Sequence, residues 1–177
     1  KTALALTFLG VVGSAFAADN FQAVRAGLPH DAIYSIDRSG DFLWAIGGHG
    51  LVLRSNSDGG EWERIASPGD FAALGMAIYK GQPVIVGQAG KAFKLSADGE
   101  SWESLDSGTE ERLLDIATLS DGSQIAVGAF GTIVKRSAGS ESFKRVAVDW
   151  DAIVEDGFEP HLYDVMQTKA GTLLIAA

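Results

Sequence analysis

Two proline–histidine pairs, Pro29-His30 and Pro160-His161, stand 131 residues apart, each at the head of an apolar run. With Asp31 beside the first, the two imidazoles and a carboxylate could share a divalent metal, because neutral imidazole nitrogen and carboxylate oxygen are ordinary metal ligands. The pairs also sit at equivalent places of a repeat, since Arg38-Ser-Gly and Lys169-Ala-Gly follow them at the same offset. That equivalence accounts for both histidines without a metal, and neither metal nor cofactor is expected. Other carboxylates precede the other apolar runs: Asp70, then Glu110 and Glu111 beside Arg112, then Glu159. A carboxylate pair such as Asp70 with Glu111 is the equipment of glycoside hydrolysis, but no residue here is assigned to catalysis. Together these side chains describe an acidic rim suited to binding.

One segment lengthens the chain locally. Asp149-Trp-Asp-Ala-Ile-Val-Glu-Asp-Gly-Phe-Glu-Pro160 makes the third interval about eight residues longer than its neighbours. Its carboxylates could recruit a basic partner or Ca²⁺, and Trp150 and Phe158 could anchor a protein interface. A solvated loop whose apolar residues tuck against the rim is the simpler expectation; among functional roles, protein binding is favoured.

The elements that must hold these residues repeat. Phe21, Trp62, Trp102 and Phe143 fall 41, 40 and 41 positions apart, and an aliphatic residue follows each aromatic three positions on. Upstream of three of them, Gly47, Gly87 and Gly128 recur, each followed three residues later by Gly50, Gly90 and Gly131. Glycine reaches positive φ without a Cβ penalty, so each Gly-x-x-Gly between apolar runs reads as a tight hairpin turn. First strands begin around Ala32, Leu74, Leu114 and Tyr163 and end in turns such as Ser120-Asp-Gly-Ser. A period of roughly 40 to 45 residues built of short strands describes a β-propeller blade. The expected fold is all-β: a propeller of four-stranded antiparallel blades, about 40–41 residues per repeat, with the aromatic-led strand outermost. Blades are expected at about 32–65, 74–105 and 114–146, with a partial blade at 162–177 and an outer closing strand at 21–25. Trp62 and Trp102 are expected to be buried between blades. The strand tally reads as an incomplete, N-terminal portion of a longer propeller. Loops entering the first strands should converge at the channel mouth, the usual ligand face.

The chain has 177 residues, no cysteine and a formal charge of −9 at pH 7. Without a basic tract, nucleic acid and anionic lipid are excluded as electrostatic partners. Residues 1–17 have a basic start, a short apolar run and small residues at Ala15 and Ala17, as in a secretory signal peptide cleaved after Ala17. The apolar run is short for a bilayer span, so no direct membrane insertion is expected after cleavage, and the mature portion, 18–177, is expected in the periplasm.

Between third and outer strands lie Ser55-Asn-Ser-Asp58-Gly59-Gly60-Glu-Trp62 and Ser96-Ala-Asp98-Gly99-Glu-Ser-Trp102. These resemble the Asp-box, or BNR repeat, of sialidase-like propellers, Ser-x-Asp-x-Gly-x-Thr-Trp. Here Asp precedes Trp by four residues rather than five, and the third copy, Ser137-Ala-Gly-Ser-Glu-Ser-Phe143, lacks both. The resemblance implies a structural, peripheral role for Asp58, Gly59 and Trp62 and for Asp98, Gly99 and Trp102. The whole repeat, including Leu113-Leu-Asp-Ile-Ala and Leu162-Tyr-Asp-Val-Met, is similar over about residues 21 to 177 to the photosystem II stability/assembly factor family and its non-photosynthetic relatives. That similarity implies a secreted or lumenal, non-enzymatic propeller that binds a protein partner, a membrane protein or a complex under assembly. The alternative on the same scaffold is a glycoside hydrolase. A sialidase would need an arginine cluster, yet Arg54 stands where Lys94 and Lys135 stand in later copies and reads as scaffold, and no Arg-Ile-Pro occurs near the N-terminus.

Overall fold

The computed structural model describes residues 4–5, 21–22, 31–56 and 59–177. Strands β1 (Leu4–Ala5) and β2 (Phe21–Gln22) pair in parallel. Residues 23–25 of the expected closing strand, and the leader apart from β1, lie outside the described residues. The first blade is β3 (Ile33–Ser39), β4 (Phe42–Gly47), β5 (Val52–Asn56) and β6 (Trp62–Arg64). The second is β7 (Ala73–Tyr79), β8 (Gln82–Gly87), β9 (Ala92–Leu95) and β10 (Trp102–Leu105). The third is β11 (Leu113–Thr118), β12 (Gln124–Gly128), β13 (Ile133–Arg136) and β14 (Lys144–Arg145). Each is a four-stranded antiparallel sheet in sequential order, with the aromatic-led strand outermost. An antiparallel pair, β15 (Asp164–Gln167) and β16 (Leu173–Ala176), follows in the place of a fourth blade. First strands of successive blades lie side by side, so the architecture is that of a propeller.

Strand alternation sends successive residues to opposite faces of each blade, and in the second and third blades both faces meet a neighbour. Trp44 and Ile46 of β4 pack toward the second blade against Phe71, Met76 and Ile85, whereas Ala45 belongs to the opposite layer with Leu51 and Leu53. One repeat on, Ile85 faces back to the first blade while Val84 and Val86 face forward onto Ile116, Ala126 and Phe143. A further layer joins Ile125, Val127 and Ile133 to Leu162 and Val165. The core is therefore a series of sheets of side chains between blades, which explains why the second strands read as continuous apolar runs. Close approach of the first strands also limits side-chain size, since a Cβ on Gly75 would lie 2.6 Å from the Asp115 Cα.

The burial of the repeated aromatics differs from expectation. Phe143 is 3 % exposed, but Trp62 and Trp102 are only half-buried. Trp102 leans back on the first blade and its indole N–H donates to the Ala66 carbonyl at 2.7 Å. Indole is too large and too polar at one edge for an outer strand to cover, so the ring lies across the seam with its N–H on a backbone acceptor. Trp44, on a second strand, is the tryptophan that is buried, at 3 %.

The Gly-x-x-Gly turns need glycine for two different reasons. Gly50, Gly90 and Gly131 take φ of +63, +64 and +60. Gly47 and Gly87 do not, with φ of −167 and 179, which is extended backbone open to any residue. Their constraint is space: a Cβ would fall 1.7 Å from the Ala32 oxygen at Gly47, 2.0 Å from Ala72 at Gly87 and 2.0 Å from Arg112 at Gly128. The carbonyl that fills this space accepts the next residue's N–H, as Gly48 to Ala32 at 2.9 Å and Ala129 to Arg112 at 2.9 Å.

Gly128→Ala is expected to cost about 3 kcal/mol or more, because only backbone movement relieves the overlap. Gly139→Ala, at φ +78 with nothing near its Cβ position, is expected to cost about 1 kcal/mol. Urea denaturation of the two variants checks the contrast. At the aromatic position, Phe143→Ala should cost about 3–5 kcal/mol and Trp102→Ala clearly less, following their burial; equal losses would refute the seam geometry.

Candidate functional site

Chain direction places the loops entering first strands and the turns joining second to third strands at the same end of the blades. Hydrogen bonds interlock them: Gly50 N–H donates to the Phe71 carbonyl and Gly131 N–H to the Pro160 carbonyl, each at 2.7 Å. The first and third turns are thus stitched to the loop entering the next blade, and at the second Gly90 lies close against the Thr109 carbonyl of the following loop, which builds a continuous mouth face. The residue before the second glycine is thrust onto that face in the left-handed region: His49 (φ 54), Ala89 (φ 55) and Phe130 (φ 51). A register shift in each first strand, between Ile33 and Ser35, Ala73 and Gly75, and Leu113 and Asp115, frees Tyr34, Leu74 and Leu114 from direct pairing. Such bulges re-aim side chains at the rims of sheets.

The expected rim residues distribute unevenly over this face. His30 lies outside the described residues, so the pairing of His30 and Asp31 with His161 cannot be formed from them. Asp31 is buried at 8 % exposure rather than displayed. Asp70 is exposed and contacts His49 Nδ1 at 3.1 Å. Glu110 and Arg112 are exposed and Glu111 half-buried. His161 accepts the Phe130 N–H on Nδ1 at 3.3 Å, an acceptor role in which the ring proton sits on Nε2. Among the described residues, no cluster of three or more His, Asp or Glu is placed to hold a metal ion.

The insertion folds into two short 3-10 turns, Trp150–Ala152 and Glu155–Gly157. Asp149 caps the first, accepting the Ala152 N–H at 3.3 Å. Trp150 is half-buried against the layer between the third blade and β15, and it lies directly over Gly131, where a Cβ would meet its Nε1 at 2.3 Å. It fastens the insertion to the rim. Phe158, 65 % exposed, and Glu159 remain at the surface.

The Asp-box turns lie at the other end of the blades. Asp98 accepts the Ser96 hydroxyl at 2.5 Å and the Glu100 N–H at 2.9 Å, and these bonds hold its carboxyl below the usual carboxylate range. Gly99 (φ +77) and Gly59 (φ +71) take the left-handed positions, and Trp62 donates to the Gly59 carbonyl at 3.1 Å; Asp58 lies outside the described residues. The third copy, without Asp or Trp, is held otherwise. Buried Arg136 donates to the Ser140 carbonyl at 2.5 Å and to Gln124, and its guanidinium lies 5.4 Å from the Tyr79 ring and 5.5 Å from Phe143. Gln124 donates to Thr118, whose hydroxyl donates to the Ile78 carbonyl of the second blade. Arg54 is likewise scaffold: it bonds Glu63 across strands at 2.6 Å, as Lys94 bonds Glu103 at 2.9 Å.

One carboxylate escaped sequence reasoning. Asp115 stands on a first strand where Ser35 and Gly75 stand in earlier blades, and accepts the Val165 N–H at 2.9 Å. Burial pushes its carboxyl from 3.8 up to about 6, against the pull of that N–H and with a further push from Asp164. A charge inside an otherwise apolar first strand was the available signal.

No family model matches the chain. It is similar to the photosystem II assembly lipoprotein Ycf48 of Synechococcus sp. (strain CC9902), 29 % identical over 103 residues, or 56 % of this chain and 31 % of that protein. The solved structure of YCF48 bound to D1 peptide superposes with a TM-score of 0.64 at 14 % identity, covering 82 % of this chain and 46 % of that one. The chain resembles the photosystem II assembly factors in sequence and in fold. It spans about a third to a half of the length of these assembly factors. Virginiamycin B lyase of Staphylococcus aureus, an inactive variant with quinupristin, shares the fold at a TM-score of 0.62 and 14 % identity, covering 85 % of this chain and 58 % of that one.

Asp115 makes the pH dependence of this assembly-factor-like propeller testable. Its folded pKa is raised, so its contribution to stability is complete below pH 3.8 and is lost as pH rises through about 6. Asp115→Asn keeps an acceptor for the Val165 N–H and removes the charge. Urea denaturation at pH 4.5 and 7.5 should show the variant gaining stability relative to the parent at the higher pH; identical pH slopes would sink the assignment.

Proposed function

We propose that this propeller is a non-enzymatic, protein-binding scaffold that assists assembly of a membrane protein complex, acting in the periplasm after loss of residues 1–17. The observation that carries the reading is the mouth face itself. Turns of one blade are stitched to loops of the next by the Gly50 and Gly131 N–H groups, so a rigid platform displays His49, Ala89, Phe130, Tyr34 and the insertion. Rigid display on loops suits recognition of a partner. Similarity to an assembly lipoprotein and to a relative solved with a bound peptide supports the same reading. Known propellers place chemistry on the same face, so a glycoside hydrolase using carboxylates such as Asp70 and Glu111 is the competing reading.

A photo-crosslinking residue placed at Glu110, on the mouth face, or at Glu141, at the opposite end, separates these in intact cells. The scaffold reading expects membrane-complex subunits captured from Glu110 and not from Glu141, by a protein that fractionates with the periplasm and begins at Ala18. Equal capture from both sites would refute it. Release of fluorophore from methylumbelliferyl glycosides, lost on Glu111→Gln, would establish the hydrolase instead.

A further inference from the structure

Phe130 is an apolar ring that folding leaves at the surface. It is 54 % exposed and held at φ 51, a conformation disfavoured for bulky L residues. His49 and Ala89 share the conformation at equivalent places, so the turn imposes it on whatever residue stands there. Neither burial nor local preference accounts for a phenylalanine at this position, and strain concentrated on a displayed side chain points toward a binding role.

Two further rings continue the row. His161 meets Phe130 edge-on, 5.0 Å between centroids at 62°, and Tyr163 meets His161 at 6.4 Å and 64°. Tyr163 is itself 61 % exposed. Carboxylates flank the row in sequence, Glu159 before it and Asp164 after it, both exposed. Glu159 and Gly131, the neighbour of Phe130, line one cleft of about 320 Å³, whose other walls include Trp150 and Arg145. His161 accepts the Phe130 N–H on Nδ1, which ties the two residues of the row together.

We propose that Phe130, His161 and Tyr163 form an aromatic shelf that binds an arginine side chain on an extended segment of the partner protein. Aromatic faces attract cations through their quadrupole. Guanidinium is flat and weakly hydrated, so it stacks where an ammonium group does not. The chain's net charge of −9 adds a long-range attraction for a cationic partner. The inference rests on the protein-scaffold reading and narrows the chemistry of its partner.

The probes are three fluorescein-labelled heptapeptides of one sequence carrying arginine, lysine or glutamine at the same positions, measured by fluorescence anisotropy on the purified chain. The arginine peptide should bind tightest, ahead of lysine at equal charge. Phe130→Gly, which suits the turn, should keep or raise the melting temperature yet weaken the arginine peptide about tenfold. Tyr163→Ala should weaken it as well, and serves the same comparison if Phe130→Gly loses the fold. Equal affinity for arginine and lysine peptides, or full affinity in the variant that folds, would overturn the shelf. Crosslinking from Glu110 that survives Phe130→Gly would leave the scaffold reading standing and remove only this inference; absence of any capture from Glu110 would remove the scaffold reading itself.

Discussion

The structure depends on one contact made at each junction, the fit of a second-to-third strand turn between its own first strand and the loop entering the next blade. At Gly47, Gly87 and Gly128 the carbonyl just before the first strand occupies the space of the missing Cβ. Three residues on, Gly50 and Gly131 reach outward to carbonyls of the following loop. A side chain at either place would separate strands within a blade or one blade from the next. Because these contacts are backbone to backbone, side chains around them are free to vary.

That freedom divides the two ends of the blades. At the outer turns, Ser96 and Asp98 close one loop while Arg136 and Gln124 close another, two chemistries for the same purpose. Burying Arg136 without a carboxylate partner among the described residues is tolerable because its guanidinium is spread over hydrogen bonds and two aromatic faces. At the mouth, the left-handed positions and the bulges carry no packing duty comparable to the interblade layers. His49, Ala89 and Phe130 differ in size, charge and polarity on one backbone geometry. A scaffold that holds conformation constant while side-chain chemistry varies is well placed to acquire specific recognition.

Asp115 shows how the same crowding acts on charge. The first strands lie close enough that Gly75 tolerates no Cβ beside Asp115. A carboxylate placed there gives up solvent, gains a single N–H from Val165, and faces Asp164. Burial dominates this balance, so the group holds its proton toward neutral pH.

The sequence by itself determined the repeat, the strand order within a blade, the outermost place of Trp62, Trp102 and Phe143, and the turn chemistry around Asp98 and Gly99. These follow from local periodicity and backbone preference, which a linear pattern records directly. Tertiary structure decided what depends on contact between residues far apart. It decided that Gly47 and Gly128 answer to a carbonyl about fifteen residues back rather than to φ. It left Trp102 half-buried at a seam while burying Phe143 at the equivalent place, because coverage depends on the neighbouring blade. It also turned Trp150 from a candidate interface anchor into a clasp over Gly131, and it aligned Phe130 with His161 and Tyr163 from separate loops. The Trp102, Trp150 and Phe130 juxtapositions have no sequence period, since each arises where two blades meet.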